Sequence, residues 1–306
     1  MDIKERLRTF LGAEAAGWVM NMSHDDFDGI TELRLRADKP MFVRIGGEDY
    51  VLTRRGKTAN VGFQGAYRPS AEDIAETMER ISQYSFYAFE TELSHGYITL
   101  PGGHRVGIAG QAVIENGVVQ AWRHISSINF RVAHSVKGCG DEVLPFLYEN
   151  NRIHHTMIIS PPGAGKTTLL RDIIRQISDG GLTVGLVDER SEVAGCFRGI
   201  PQNDVGLRTD VLDGCPKPEG MHMLLRAMAP DVIAVDELGG REDAKAVEAV
   251  LTAGVRLLCT AHGDSFEDVM KNPGLAGLIS RKVFGRYIVL SAPGAKPQIL
   301  DGGGSS

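Results

Sequence analysis

An α/β domain built around a parallel sheet, preceded by a smaller α+β domain, is the architecture this sequence predicts, and three observations carry it. Beyond residue 150, short apolar strands alternate with amphipathic helices, the rhythm of parallel βαβ units. At the head of that rhythm stands Ser160 to Thr168, SPPGAGKTT, entered from Met157-Ile158-Ile159 and left through Leu169, Leu170, Ile173, Ile174 and Ile177 on one helical face. Before residue 136 the runs alternate with period two between Gly-rich and Asn-Gly turns, as antiparallel hairpins do. At 306 residues the chain is long enough for two cores. The expected division is 1–136 and 137–306.

In the N-terminal half, residues 3–11 place Ile3, Leu7, Phe10 and Leu11 on one face of a short helix. Residues 30–45 then alternate. Glu32, Arg34 and Arg36 interleave with Leu33 and Leu35, and Lys39-Pro40 turns the chain into Phe42, Val43 and Ile45, so one sheet face is dry and the other charged. Gly46-Gly47 turns again into a short strand at 50–53. Residues 54–68, with Arg54, Arg55, Lys57 and Arg68 among glycines, are expected to form an exposed loop. Pro69-Ser70 followed by Asp73 begins a capped helix whose buried face holds Ile74, Met78, Ile81 and Tyr84. Phe86, Tyr87 and Phe89 read as core. Strands fill 97–132, with turns at Gly102-Gly103 and Asn116-Gly117, and carry Arg105, Arg123 and Arg131. Lys137-Gly138-Cys139-Gly140 reads as a linker.

The C-terminal half yields strands at 157–160, 182–187, 232–235, 255–260 and 283–290, and helices near 166–178, 221–228 and 241–253. Residues 191–220, with Arg198 and Arg208, fall outside the rhythm; a connection this long is usually functional or disordered. The stretch SPPGAGKTT meets the pattern G-x-x-x-x-G-K-[ST] except that Ser160 stands for the first Gly, where Pro161-Pro162 already forces the turn. Strand, loop and helix together place converging backbone N–H groups at a helix N-terminus, which favours phosphate. Pro162, Gly163, Ala164, Gly165, Lys166, Thr167 and Thr168 are therefore expected to bind nucleotide. Lys166 would reach the β and γ phosphates, and the Thr167 hydroxyl would ligate Mg²⁺.

The strand Val232-Ile233-Ala234-Val235 ends in Asp236 and Glu237. Downstream of a phosphate loop, Asp236 is expected to hold the metal and Glu237 to polarise the attacking water. Further strand ends, Asp188-Glu189-Arg190-Ser191-Glu192 and Thr260-Ala261-His262, fall where they face the same crevice at the carboxyl edge of the sheet. Asp188 and Glu189 would add an acidic wall, and Thr260 or His262 would sense the γ-phosphate or orient water. No Asn/Thr-Lys-x-Asp guanine-reading motif occurs, so ATP is the expected nucleotide.

Composition sets bounds. A net charge of −6 argues against general nucleic-acid affinity, and 42% hydrophobic with 24% charged residues is ordinary for a soluble globular protein. Charges at Lys4, Glu5, Arg6 and Arg8, together with the lack of a long apolar run, lead to the expectation of a cytoplasmic chain. The four cysteines form no Cys-x-x-Cys pair and are expected to be reduced thiols.

The order of phosphate loop, DERSE, VIAVDE and TAHGD after an arginine-rich α+β domain resembles the secretion ATPases of type II and type IV systems. The runs ELRLRADKPMFVRIGGED, GHRVGIAGQAV, SINFRVA, PPGAGKTTLLRD, VDERSEVAG, RTDVLDGCPK and VIAVDELGG resemble the stage III sporulation protein AA family of endospore-forming bacteria. The resemblance implies a RecA-like P-loop NTPase core, with Asp188 to Glu192 matching the Asp box and Thr260 to His262 the His box. Asp236 stands where Gly is usual, which leaves Glu237 and Glu189 both open as the base. A hexameric homo-oligomer is implied, docked beneath the membrane proteins of a channel between mother cell and forespore, peripheral to the membrane on the mother-cell side. The rival readings are a nucleic-acid-stimulated RecA-like ATPase and a nucleotide-binding scaffold without turnover. Because Lys166 and one Mg²⁺ leave transition-state charge unneutralised, a second cation is expected from Arg105, Arg123, Arg131 or Arg208, with Arg131 and Arg105 favoured.

Overall fold

The period-two runs of the N-terminal half pair into an antiparallel sheet in the computed structural model, which describes residues 3–59, 63–82, 89, 93, 96–115, 118–133, 136–150 and 152–303. The chain divides into two compact units, Met1–His134 and Ser135–Ser306. In the first, helices α1 (Ile3–Phe10), α2 (Ala13–Val19) and α3 (His24–Asp28) precede strands β1 (Ile30–Arg36), β2 (Phe42–Ile45), β3 (Glu48–Thr53) and β4 (Gly56–Ala59). Helix α4 (Ala71–Ser82) and strands β5 (Tyr97–Leu100), β6 (His104–Glu115) and β7 (Val118–Arg131) follow, and the sheet order is β4-β3-β2-β1-β7-β6-β5. Leu33, Leu35 and Val43 are fully buried, whereas Glu32, Arg34 and Arg36 alternate with them on the charged face. Helix α4 starts at a reciprocal cap, in which the Asp73 amide donates to Ser70 Oγ at 3.1 Å and the Ser70 amide to Asp73 Oδ2 at 2.8 Å.

Within residues 54–68, expected to be a loop, Gly56–Ala59 forms strand β4. It joins through backbone pairing to β3 and carries little apolar content, so no hydrophobic period announces it. The expectations for Tyr84, Phe86, Tyr87 and Asn116-Gly117 fall outside the described residues.

The second unit opens with a 3₁₀ turn at Leu144–Leu147 and a small hairpin of β8 (Tyr148–Glu149) and β9 (Arg152–Ile153). The main sheet is built from β10 (Thr156–Ser160), β11 (Val184–Asp188), β12 (Thr209–Asp213), β13 (Val232–Val235), β14 (Arg256–His262), β15 (Arg286–Val289) and β16 (Gln298–Asp301). Its order is β12-β11-β13-β14-β10-β15-β16, parallel throughout except for β16. Helices α5 (Lys166–Asp179), α6 (Lys217–Ala227), α7 (Arg241–Thr252), α8 (Phe266–Met270) and α9 (Ala276–Ser280) complete the unit. Alternate residues of the strands serve the two faces of the sheet. Ile158, Leu186, Ala234 and Leu258 pack with Leu169, Leu170, Ile173 and Ile177 of α5. On the other face, Met157, Ile159, Val187 and Ile233 pack with Met221 and Leu224 of α6 and with Val247 and Val250 of α7. Burial on both faces explains the continuous apolar runs of the parallel strands.

The segment expected to be a linker is instead packed on α5. The Gly140 amide donates to Asp172 Oδ2 at 2.8 Å, and the Cys139 thiol reaches the Thr168 carbonyl at 3.7 Å. Asp172 is buried, with its Oδ1 also accepting from Arg175 at 2.7 Å.

A pH effect arises at the base of this sheet. His155 Nδ1 accepts the Leu257 amide at 3.1 Å, and Arg256 Nη1 lies 3.2 Å from its Nε2. Burial, followed by the charges of Arg256 and His154, pushes its pKa down from 6.5 to about 4. A base depressed in the folded state stabilises the fold above its unfolded pKa, and that stability is lost as pH falls from about 6.5 towards about 4. The loss is expected to reach about 3 kcal/mol. Urea unfolding of the parent and of His155→Asn at pH 7.5 and 4.5 checks it: the parent's advantage should shrink at the lower pH, and an unchanged advantage would refute it.

Candidate nucleotide site

Strand β10 ends at Ser160, whose hydroxyl donates to the Pro161 carbonyl at 3.0 Å. The chain then turns through Gly163 at φ 78° and Gly165 at φ 100°. The space around both positions is open, so the left-handed backbone, not crowding, is what calls for glycine there. Gly165 is the N-cap of α5 and has no side chain to offer the first-turn amides, which have no partner within the helix. The loop thus leaves a helix N-terminus open to an anion.

Three side chains converge beside this loop on Asp236, the residue after β13. Lys166 Nζ lies 3.4 Å from Asp236 Oδ1, and Thr167 Oγ1 donates to Asp236 Oδ2 at 3.0 Å. Thr260 Oγ1, from β14 between β13 and β10, donates to Asp236 Oδ1. The Lys166 and Asp236 side chains are only 10% and 12% exposed, so their charges act in a poorly solvated setting. Glu237 follows with a left-handed backbone, φ 61°, an uncommon state for a residue with a Cβ. Its Oε1 lies 3.2 Å from His262 Nε2 and its Oε2 3.5 Å from Arg190 Nη1.

The two acids at the carboxyl end of β11 divide between two tasks. Glu189 pairs with Lys217, the first residue of α6, and both line a crevice with Arg190, Asp236 and Glu237. Asp188, expected in the acidic wall, borders the same crevice but is 1% exposed and binds its own loop. Its oxygens accept the amides of Glu192 at 2.9 Å, Val193 at 3.1 Å and Ala194 at 2.8 Å. Burial pushes its carboxyl above the ordinary range, against the pull of those donors. Arg171 of α5 grips the same loop from the other side, Nε donating to the Val193 carbonyl at 2.6 Å and Nη2 to the Glu192 carbonyl at 2.7 Å.

Sequence reading missed Arg171 and Lys217, and placed Arg190 at the crevice without giving it a role. Arg171 stands four residues after Thr167, on the same helical face, a spacing that could have marked it. Lys217 lay in the stretch without a period, and nothing in its sequence setting singles it out. Arg208 just precedes β12 and so sits at the amino edge of a sheet whose carboxyl edge holds Lys166 and Asp236; within its own subunit it does not serve this site. Arg105, Arg123 and Arg131 belong to the N-terminal unit.

The fold is that of the RecA-like secretion ATPases with a smaller N-terminal domain. The Legionella pneumophila ATPase DotB superposes with a TM-score of 0.55 at 19% identity, covering 85% of this chain and 72% of that one. The pilus retraction motor PilT, solved with bound ADP, gives 0.55 at 16% identity, covering 94% and 78%. Residues 1–303 match the family model described as Sporulation stage III, protein AA, and the chain belongs to that family. It is 45% identical over 284 residues to stage III sporulation protein AA of Bacillus subtilis (strain 168), covering 90% of this chain and 88% of that protein. Among the described residues no helix is long and apolar enough to cross a membrane.

Proposed function

We propose that this chain is a Mg²⁺-dependent ATPase of secretion type that works as a homo-oligomer, a hexameric ring. Its place is cytoplasmic, on the mother-cell side, where it powers or assembles a membrane complex between mother cell and forespore through membrane-protein partners. The observation that carries the ATPase reading is the convergence of Lys166, Thr167 and Thr260 on Asp236 beside an open helix N-terminus. A hydroxyl and a carboxylate already sharing a hydrogen bond are hard oxygen donors suited to Mg²⁺, so Thr167 and Asp236 are the residues that would hold it. Bound Mg²⁺ supplies charge neutralisation on the β and γ phosphates.

Within the chain, Lys166 binds the phosphates as a shielded cation, and the amides at the start of α5 orient them. Glu237 takes the proton of the attacking water and His262 orients its carboxylate. Glu189 is the weaker candidate because its carboxylate is already engaged by the Lys217 ammonium, whereas Glu237 directly follows Asp236. Phosphate release by the purified chain with and without Mg²⁺ tests the reading. Glu237→Gln should keep ATP binding and lose roughly a hundredfold or more in turnover. Unchanged turnover in Glu237→Gln, with loss in Glu189→Gln, would move the base to Glu189.

A further inference from the structure

We infer that Thr260 is a positioning residue, a latch that holds Asp236 and Glu237 in working shape; the role in turnover rests on the ATPase reading above. Strands β13 and β14 run in register as far as Val235 and Cys259, and there β13 ends. Thr260 is the next residue of β14, and it takes over the binding of the chain that leaves β13. Its hydroxyl donates to Asp236 Oδ1 and accepts the Glu237 amide at 2.8 Å, while its carbonyl accepts the Leu238 amide at 2.8 Å. One residue thus binds three consecutive residues of the acidic turn.

The arrangement has a physical reason. A left-handed backbone at a residue bearing a Cβ persists only where its surroundings fix it. Glu237 is such a residue, and the fixing contacts are the amides at 237 and 238, both donated to Thr260. The hydroxyl offers one hydrogen to donate, and it goes to Asp236. Thr260 is fully buried, so it does not reach a phosphate. Direct γ-phosphate sensing, one of the roles expected for it from sequence, is therefore replaced by an indirect one. The residue proposed for Mg²⁺ and the residue proposed as base are joined through a single hydroxyl, so the position of one is tied to that of the other.

The test compares the parent chain with Thr260→Val, which keeps shape and removes the hydroxyl, and Thr260→Ser, which keeps the hydroxyl. Thr260→Ala removes the hydroxyl in a smaller side chain and serves if the Val chain does not fold. In Val or Ala, exchange of the Glu237 amide should quicken by roughly tenfold, the scale of one lost hydrogen bond. kcat should fall about a hundredfold, as for a misplaced catalytic group, with KM for ATP changed less than about threefold. Ser should restore both amide protection and kcat. Parental exchange and kcat in a hydroxyl-free variant that folds would overturn the latch, and so would a Ser variant that behaves like Val. If the parent hydrolyses no ATP, the exchange measurement still decides the latch, and it is the ATPase reading that falls.

Discussion

Lys166→Ala should remove ATP binding or turnover. Within Ser160 to Thr168 Lys166 is the one cation, and its ammonium is shielded from water, where a charge-assisted contact to phosphate is strongest. Alanine also leaves Asp236 facing the phosphates with its own charge less compensated, so the two effects add. An affinity loss on the order of a hundredfold or more is expected, equivalent to about 3 kcal/mol or more. Titration with a fluorescent ATP analogue, together with phosphate release, reads both quantities. Hydrolysis at the parent rate would remove Lys166 from the site altogether.

The second large effect concerns the arginines of the N-terminal unit. Arg105 and Arg131 face each other directly across β6 and β7, with Glu32 on the far side of Arg131. Like charges opposite one another in an antiparallel pair are unfavourable, and the balance improves when an anion arrives. Arg105 is also oriented by the Tyr97 ring, 5.0 Å from its guanidinium. Phosphoryl transfer needs a cation beyond Lys166 and Mg²⁺, and we propose that in a ring one of these arginines supplies it to a neighbouring subunit's nucleotide. Replacing the true finger by Ala should lower turnover by roughly a thousandfold while ATP affinity stays nearly intact. Mixing that variant with Lys166→Ala should restore part of the activity, because each chain supplies what the other lacks. Parental turnover in the Ala variants of all four candidates, Arg105, Arg123, Arg131 and Arg208, or activity per chain independent of concentration down to the monomer, would sink the inter-subunit mechanism.

What could be read in the sequence follows from how locally each feature is encoded. Strands β10, β13 and β14 are legible because burial on both faces demands uninterrupted apolar runs, and their polar ends mark the carboxyl edge where Lys166 and Asp236 meet. Strand β12, TDVLD, is an edge strand with two apolar residues, held by hydrogen bonds to β11, and shows no period to detect. Helices α8 and α9 have five residues each, too few for a helical repeat to declare itself. The glycines at 138 and 140 look like a linker in any sequence; contacts with α5 that are distant in sequence, among them Gly140 to the Asp172 carboxylate, make the segment part of a packed unit. The Thr260 contacts depend on the register of β13 against β14, which no local pattern sets.

The hold of Asp188 and Arg171 on the loop between them has a consequence for what the loop is able to change. Anion and cation do not meet there. Each is hydrogen-bonded by the peptide groups of residues 192–194, the carboxylate on the amide side and the guanidinium on the carbonyl side. The path of that loop is therefore dictated from outside it, by one residue ending a strand and one inside a helix. A substitution of the Glu192 side chain leaves these contacts in place, because both are made by its backbone. Chemistry at this edge of the sheet can diverge by side chain alone, on a backbone whose course is already fixed.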